Sequence, residues 1–340
     1  MTNQVLFMPQ ENDNQSKKIP SKSSSIISRL RVWFLGLIFL AGLVLFVSHF
    51  SELEHFAQLL RQAKPLWLIA GFLLQSATYF SVAAVWHQTL RYAGVRYSLW
   101  LLVPLGIAKL FSDQALPTGG MSGTLFLVAS LNRRGISKSL CMAVLLVSLV
   151  AYYLSYLLAV LASIALLWFC HDLRAWIVAV TVIFCIIAVA IPAGALWLRH
   201  RGNQTVPGIL MRIPGLTAVL NALGDAPGYL LKSPALIIKT TLFQGTIFLL
   251  DAYTLNVMLY AIGQDTSFLV VFASFVIASM VATLGPVPLG LGTFEATCVA
   301  MLTMLGITLE AAFTATLLLR GFTLWLPMFP GLWLTKRELQ

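Results

Sequence analysis

Hydrophobic runs of membrane-spanning length dominate the chain, and short polar segments separate them. A helix of about 20 residues crosses the hydrocarbon core of a bilayer, which is about 30 Å thick. Six runs reach this length, at approximately 31–50, 65–87, 139–169, 175–198, 235–261 and 308–334. The pattern predicts an all-α integral membrane protein with about six transmembrane helices.

The polar segments divide the rest of the chain. Residues 1–28 are rich in Asn, Gln, Ser and Lys, which predicts a disordered arm. Residues 51–64 are amphipathic and are expected to lie along the membrane interface. The longest loop, 199–234, has room for a short interfacial helix near 209–223. Residues 29–338 therefore form a single polytopic membrane domain in this prediction.

Two further hydrophobic stretches are interrupted by glycine and proline. The first runs from about 99 to 134 and is broken by LPTGGMSG at 116–123; the second runs from about 267 to 306 and is broken by LGPVPLGLG at 284–292. Each interruption has roughly half a span on either side. Irregular backbone survives at membrane depth only where protein buries it or where it lines a cavity. Both stretches are therefore predicted to be re-entrant helical hairpins.

The distribution of basic residues supports this arrangement. With a cytoplasmic N-terminus and two hairpins that return to their side of entry, three basic residues fall clearly outside: Arg61, Lys64 and Arg174. The cytoplasmic side then holds Lys17, Lys18, Lys22, Arg29, Arg31, Arg91, Arg96, Arg133, Arg134, Lys138, Arg199, Arg201, Arg212, Lys232, Lys336 and Arg337. Because basic residues concentrate in cytoplasmic loops, both termini are predicted to be cytoplasmic.

The order of spans and hairpins suggests an internal repeat. Each half, about 29–170 and 175–335, contains three full crossings and one hairpin. Three is an odd number, so the halves have opposite orientations. Interrupted segments in corresponding positions of two inverted halves point to a substrate site between them.

The two interruptions also carry a family resemblance. GPVPLGLGTFEATCVAMLTMLGI at 285–307, followed by LLLR at 317–320, resembles the C-terminal signature of a flippase-like family. That family is named for the transmembrane region of lysylphosphatidylglycerol synthase. LPTGGMSG, followed by LNRRGIS at 131–137, resembles its first motif. The resemblance covers roughly residues 30–335.

The resemblance implies a multi-pass protein of a prokaryotic cell membrane that moves or handles lipids between leaflets. The positions that match its motifs are Pro117, Gly119, Gly120, Gly123, Pro286, Pro288, Gly290, Gly292, Glu295 and Arg320. Many members carry a charged residue soon after the first motif, whereas residues 124–127 here are Thr-Leu-Phe-Leu. The sequence lacks the synthase's soluble aminoacyl-transferase domain, so lysyl-lipid synthesis is not expected.

Ionisable side chains at membrane depth are candidates for function, because each costs roughly 2.5–3.5 kcal/mol to insert. Glu295 lies in the first turn of a half-helix, where it either stabilises the helix terminus or binds a proton or a headgroup amine. Arg320 lies in mid-span, where it pairs with Glu295 or Asp251, clamps a lipid phosphate, or does both.

The remaining candidates also have two interpretations each. Lys109 and Asp113 are four residues apart on one helical face, so they form either a structural pair or part of a site. Asp251 shares a face with Gln244, so it either bonds that amide or titrates. The motif glycines permit tight turns, or they expose half-helix N–H groups that bind a lipid phosphate.

Composition excludes several classes of protein. Of the 340 residues, 59% are hydrophobic and 10% are charged, against about 45–50% and 25% in soluble domains. The net charge of +10 reflects the basic loops, and no nucleic-acid partner is expected. No P-loop, metal-ligand cluster or cofactor motif is present, so no metal or cofactor is predicted.

These observations favour a flippase-like transporter of a polar lipid, of phospholipid or polyprenyl-phosphate type, rather than an enzyme. Two alternatives remain. One is an intramembrane lipid-modifying enzyme that uses Glu295 or Asp251 as acid or base. The other is a non-catalytic membrane partner of a lipid or glycolipid synthase.

Overall fold

The computed structural model describes residues 63–115, 121–169, 174–201, 226–285 and 287–339, and every regular element among them is helical. The predicted arm at 1–28, the span at 31–50 and the interfacial helix near 209–223 lie outside these residues, as does nearly all of the amphipathic segment at 51–64. The same is true of the motif positions Pro117, Gly119, Gly120 and Pro286.

Eleven helices are numbered here within the described part of the chain. In chain order they are α1 Pro65–Tyr92, α2 Leu99–Ala115, α3 Met121–Arg133, α4 Lys138–Phe169, α5 Ala175–Arg201, α6 Gly228–Leu231, α7 Pro234–Ala261, α8 Phe268–Leu284, α9 Thr293–Met304, α10 Leu309–Arg320 and α11 Leu326–Leu339. A short 3₁₀ turn, Pro288–Gly290, separates α8 from α9.

Five of the predicted spans correspond to helices that are long and apolar enough to cross a membrane. Their ranges are Pro65–Tyr92, Lys138–Phe169, Ala175–His200, Pro234–Ala261 and Leu309–Glu338. Prolines at the first helical positions of α1 and α7 help to set where these helices begin, because a proline there gives up no helical hydrogen bond. The protein is thus an all-helical, multi-pass membrane protein.

The last span contains a π-helical turn that the sequence pattern did not predict. Gly321–Trp325 separates α10 from α11, and the Leu326 N–H donates to the Gly321 carbonyl, five residues back. Pro327 has no N–H to donate to the carbonyl four residues before it, which accounts for the irregular hydrogen bonding at this point. The turn follows Arg320 directly.

The two interrupted stretches fold as pairs of short helices. Helix α2 packs against α3 in the first pair, and α8 packs against α9 in the second. The order of neighbours is also similar in the two halves: α1 packs against α2 as α7 packs against α8, and α2 packs against α11 as α8 packs against α4. Among the described helices, α1 and α7 share the most extensive interface.

Candidate functional site

The second interrupted segment is held by an ion pair between α9 and α10. The Arg320 Nε donates to Glu295 Oε1 at 2.6 Å, and the Gly292 N–H donates to Glu295 Oε2 at 2.7 Å. The two charged side chains are only 12% and 18% exposed. Of the two interpretations of Arg320, the structure therefore shows the ion pair, and it selects Glu295 rather than Asp251 as the partner.

Arg320 also binds the backbone of the turn that precedes α9. Its Nη2 donates to the carbonyl oxygens of Leu289 and Gly290, each at 3.3 Å. Both residues have positive φ angles, +60° for Leu289 and +62° for Gly290, and such a conformation is unfavourable for leucine. The guanidinium stacks over the Phe294 ring at 4.3 Å. One arginine thus satisfies carbonyls that the irregular turn leaves without helical partners.

The first interrupted segment has a similar arrangement built from different residues. Lys109 Nζ donates to Asp113 Oδ2 at 2.7 Å, which confirms the predicted pair four residues apart. The other carboxylate oxygen, Oδ1, accepts the Gly123 N–H at 2.8 Å. Each segment therefore has one carboxylate that bridges a basic side chain and a glycine N–H near the start of its second short helix.

Two motif glycines are explained by close approach. A Cβ on Gly123 would lie 2.5 Å from the Asp113 carboxylate carbon, so a side chain there would displace the carboxylate. A Cβ on Gly290 would lie 2.6 Å from the Ala282 Cβ of α8, and the residue has a positive φ as well. Gly292 has a φ of +79° but open space around it. The side chain of Pro288 lies outside the described residues.

A central cavity of about 300 Å³ brings three of the five ionisable candidates together. Lys109, Asp251 and Arg320 all line it. Asp113 and Glu295 are the ion-pair partners of the two basic residues and are not among the lining residues. The walls come from α1, α2, α7, the end of α10 and the π-helical turn. Other lining residues are Gln75, Thr78, Tyr79, Val82, Gly106, Leu110, Gln114, Ile247, Thr323 and Leu324.

Several polar atoms at this cavity are buried and bind nothing in the described part of the chain. They are Oε1 of Gln75, the hydroxyl of Tyr79, Nε2 and Oε1 of Gln114, and Oδ1 of Asp251. Buried polar groups in proteins are nearly always hydrogen-bonded, to protein, water or ligand. No hydrogen bond from Asp251 to Gln244 is present among the described residues. Gln75 and Gln114 are amides inside apolar helices, which is a signal for this cavity in the sequence itself.

Comparison with family models provides independent evidence. Residues 33–331 match the model of the lysylphosphatidylglycerol synthase TM region. The chain belongs to this family. The match spans both interrupted segments and the central cavity, so the described site lies within the region that defines the lysylphosphatidylglycerol synthase TM region family. No curated protein matches the chain. Membership of the family and the apolar helices together indicate an integral membrane protein related to lipid handling.

Proposed function

We propose that this protein is a flippase-like transporter that moves a polar lipid, of phospholipid or polyprenyl-phosphate type, between the two leaflets of a prokaryotic cell membrane. The observation that carries the proposal is the central cavity, in which buried polar atoms that have no partner in the described part of the chain lie among helices of membrane-spanning length. A polar headgroup would occupy this cavity while the acyl or prenyl tail stays in the lipid. The family's connection with lipids supports the choice of cargo.

In this proposal both interrupted segments are re-entrant hairpins of an inverted repeat, with the chain termini in the cytoplasm. The similar order of helix neighbours in the two halves supports the repeat. The two carboxylate bridges support it further, because each satisfies backbone groups at an interruption that hydrocarbon could not solvate. The end of α2, near Asp113, and the π-helical turn after Arg320 would then both line the cavity.

The charged residues have distinct roles in this proposal. The N–H groups of Gly123 and Gly292 already donate to Asp113 and Glu295, so the proposal assigns no phosphate to these two groups. Lys109 and Arg320 line the cavity and are the groups that would bind a headgroup phosphate. The Arg320 hydrogen bonds within the described residues use Nε and Nη2, which leaves Nη1 for such a contact. The two carboxylates keep the basic side chains in place.

Lipid movement in proteoliposomes tests the proposal. A lipid labelled on its acyl chain is incorporated, and chemical quenching of the outer leaflet measures exchange between leaflets. Wild-type protein should accelerate exchange over protein-free vesicles. Gln114→Leu should slow it, because this change removes polar cavity atoms without breaking a hydrogen bond to the described protein. Gln88→Leu, near the end of α1 and outside the central cavity, is the matched control and should exchange lipid at the wild-type rate.

Mass spectrometry of the lipids after the assay separates transport from chemistry. Transport leaves the labelled lipid unchanged in mass, whereas a lipid-modifying enzyme would yield a new product. Wild-type vesicles that exchange lipid no faster than empty ones would contradict the proposal. A Gln114→Leu variant that exchanges lipid as fast as the Gln88→Leu control would also contradict the proposal.

A further inference from the structure

The charges around the central cavity do not balance. Lys109 is neutralised by Asp113, and Arg320 is neutralised by Glu295. Asp251 also lines the cavity, but no basic nitrogen of the described residues lies within ion-pair distance of it, and its buried Oδ1 accepts no hydrogen bond there. Among the described residues, Asp251 is therefore the acidic side chain at this cavity that has no basic partner.

The neutral polar groups that line the same cavity include oxygen acceptors. Gln75 Oε1, both amide atoms of Gln114 and the Tyr79 hydroxyl are buried there without a hydrogen-bond partner in the described part of the chain. Gln75 is only 5% exposed, and its amide nitrogen is already bound to Thr78 Oγ1 at 3.1 Å, which leaves its oxygen for another donor. Carboxylate, amide and hydroxyl oxygens together are the groups that bind ammonium groups and hard monovalent cations.

We propose that Asp251, with the amide oxygens of Gln75 and Gln114, forms a binding site for a monovalent cationic group. Two sources have this chemistry: the primary ammonium of a zwitterionic lipid headgroup, or a free ion such as Na⁺. The first source rests on the proposed function and makes the cargo an amino-phospholipid, with its phosphate at Lys109 and Arg320. The second is independent of the cargo and supplies an ion that binds together with it.

Thermal unfolding of the purified protein in detergent tests the site without a transport assay. A ligand that binds the folded state raises the unfolding midpoint. One arm compares NaCl with N-methyl-glucamine chloride at equal ionic strength. The other compares short-chain phosphatidylethanolamine with short-chain phosphatidylglycerol, which carries a phosphate but no ammonium. The midpoint should rise with Na⁺ if the ion is free, and with phosphatidylethanolamine if the ammonium belongs to the headgroup.

Substitutions then assign the shift to Asp251. Asp251→Asn should lose most of it, whereas Asp265→Asn, the same change in an exposed loop, should retain it. Gln114→Leu should reduce the shift and is a second variant whose folding does not depend on a lost hydrogen bond. No shift in either arm, or a shift that Asp251→Asn and Gln114→Leu both keep, would overturn the proposal.

The two proposals fail in different ways. A shift that depends on Asp251, in a protein that does not move lipid, would overturn the transport function and leave the cation site. Lipid exchange by a protein that shows no such shift would overturn the cation site and leave the transport function.

Discussion

Replacing Arg320 should destabilise the protein more than any comparable change of a basic residue at the surface. Arg320→Met keeps most of the apolar stem but removes the ion pair with Glu295 and the bonds to the carbonyls of Leu289 and Gly290. Glu295 then keeps one partner, the Gly292 N–H at 2.7 Å. A carboxylate that is 18% exposed would be left without its counter-charge.

The size of the effect follows from that burial. Removing one member of a buried ion pair costs about 3–5 kcal/mol, because the remaining charge stays desolvated. We expect the lower end of this range for Arg320→Met, since Glu295 keeps some exposure and one hydrogen bond. Glu295→Gln should cost less, about 1.5–3 kcal/mol, because an amide oxygen can still accept from Gly292. Arg96→Met, at an exposed position, should change stability by less than about 0.5 kcal/mol.

A double-mutant cycle isolates the pair. The free energy of unfolding is measured in mixed detergent micelles for Arg320→Met, Glu295→Gln and the double variant. Contacting residues of this kind show coupling of about 0.5–3 kcal/mol, so the double variant should lose less than the sum of the single losses. Additive losses, or an Arg320→Met protein as stable as wild type, would refute the assignment of Arg320 as the residue that holds the second interruption.

The motif glycines give further predictions. Gly123→Ala should lower the unfolding midpoint and weaken lipid exchange, because its Cβ would collide with the Asp113 carboxylate; Gly194→Ala, with nothing within 4 Å, should be neutral or stabilising. If both alanine variants have the same midpoint, the carboxylate bridge does not hold the first interruption. Gly290→Ala should be more destabilising still, since it combines the contact with Ala282 and a positive φ, and a wild-type midpoint would contradict this.

Much of the helical layout follows from hydropathy alone. The predicted spans at 65–87, 139–169, 175–198, 235–261 and 308–334 each match a helix of sufficient length. The glycine and proline clusters mark the breaks between short helices, because few residues other than glycine adopt positive φ. The π-helical turn at Gly321–Trp325 was not predicted, since a proline in an apolar run does not specify whether the helix kinks, breaks or forms a wider turn at that point.

The site was harder to predict than the helices. The Lys109–Asp113 pair follows from helical periodicity, but the partner of Arg320 depends on how α9 and α10 pack, which residue spacing does not encode. The same holds for the Asp113 bond to the Gly123 N–H across an interruption. Asp251 has no basic partner among the described residues, and this depends on which carboxylates Lys109 and Arg320 bind in the fold.

Filling the central cavity tests the account most directly. Gly106 lines it, and a Cβ there would meet nothing closer than 3.8 Å, so we expect the side chain of Gly106→Leu to extend into the space. Gly194→Leu adds the same side chain on α5, away from the cavity. In proteoliposomes, Gly106→Leu should lose accelerated lipid exchange while its unfolding midpoint stays close to that of Gly194→Leu. Wild-type exchange by a folded Gly106→Leu protein would show that lipid headgroups do not pass through this cavity.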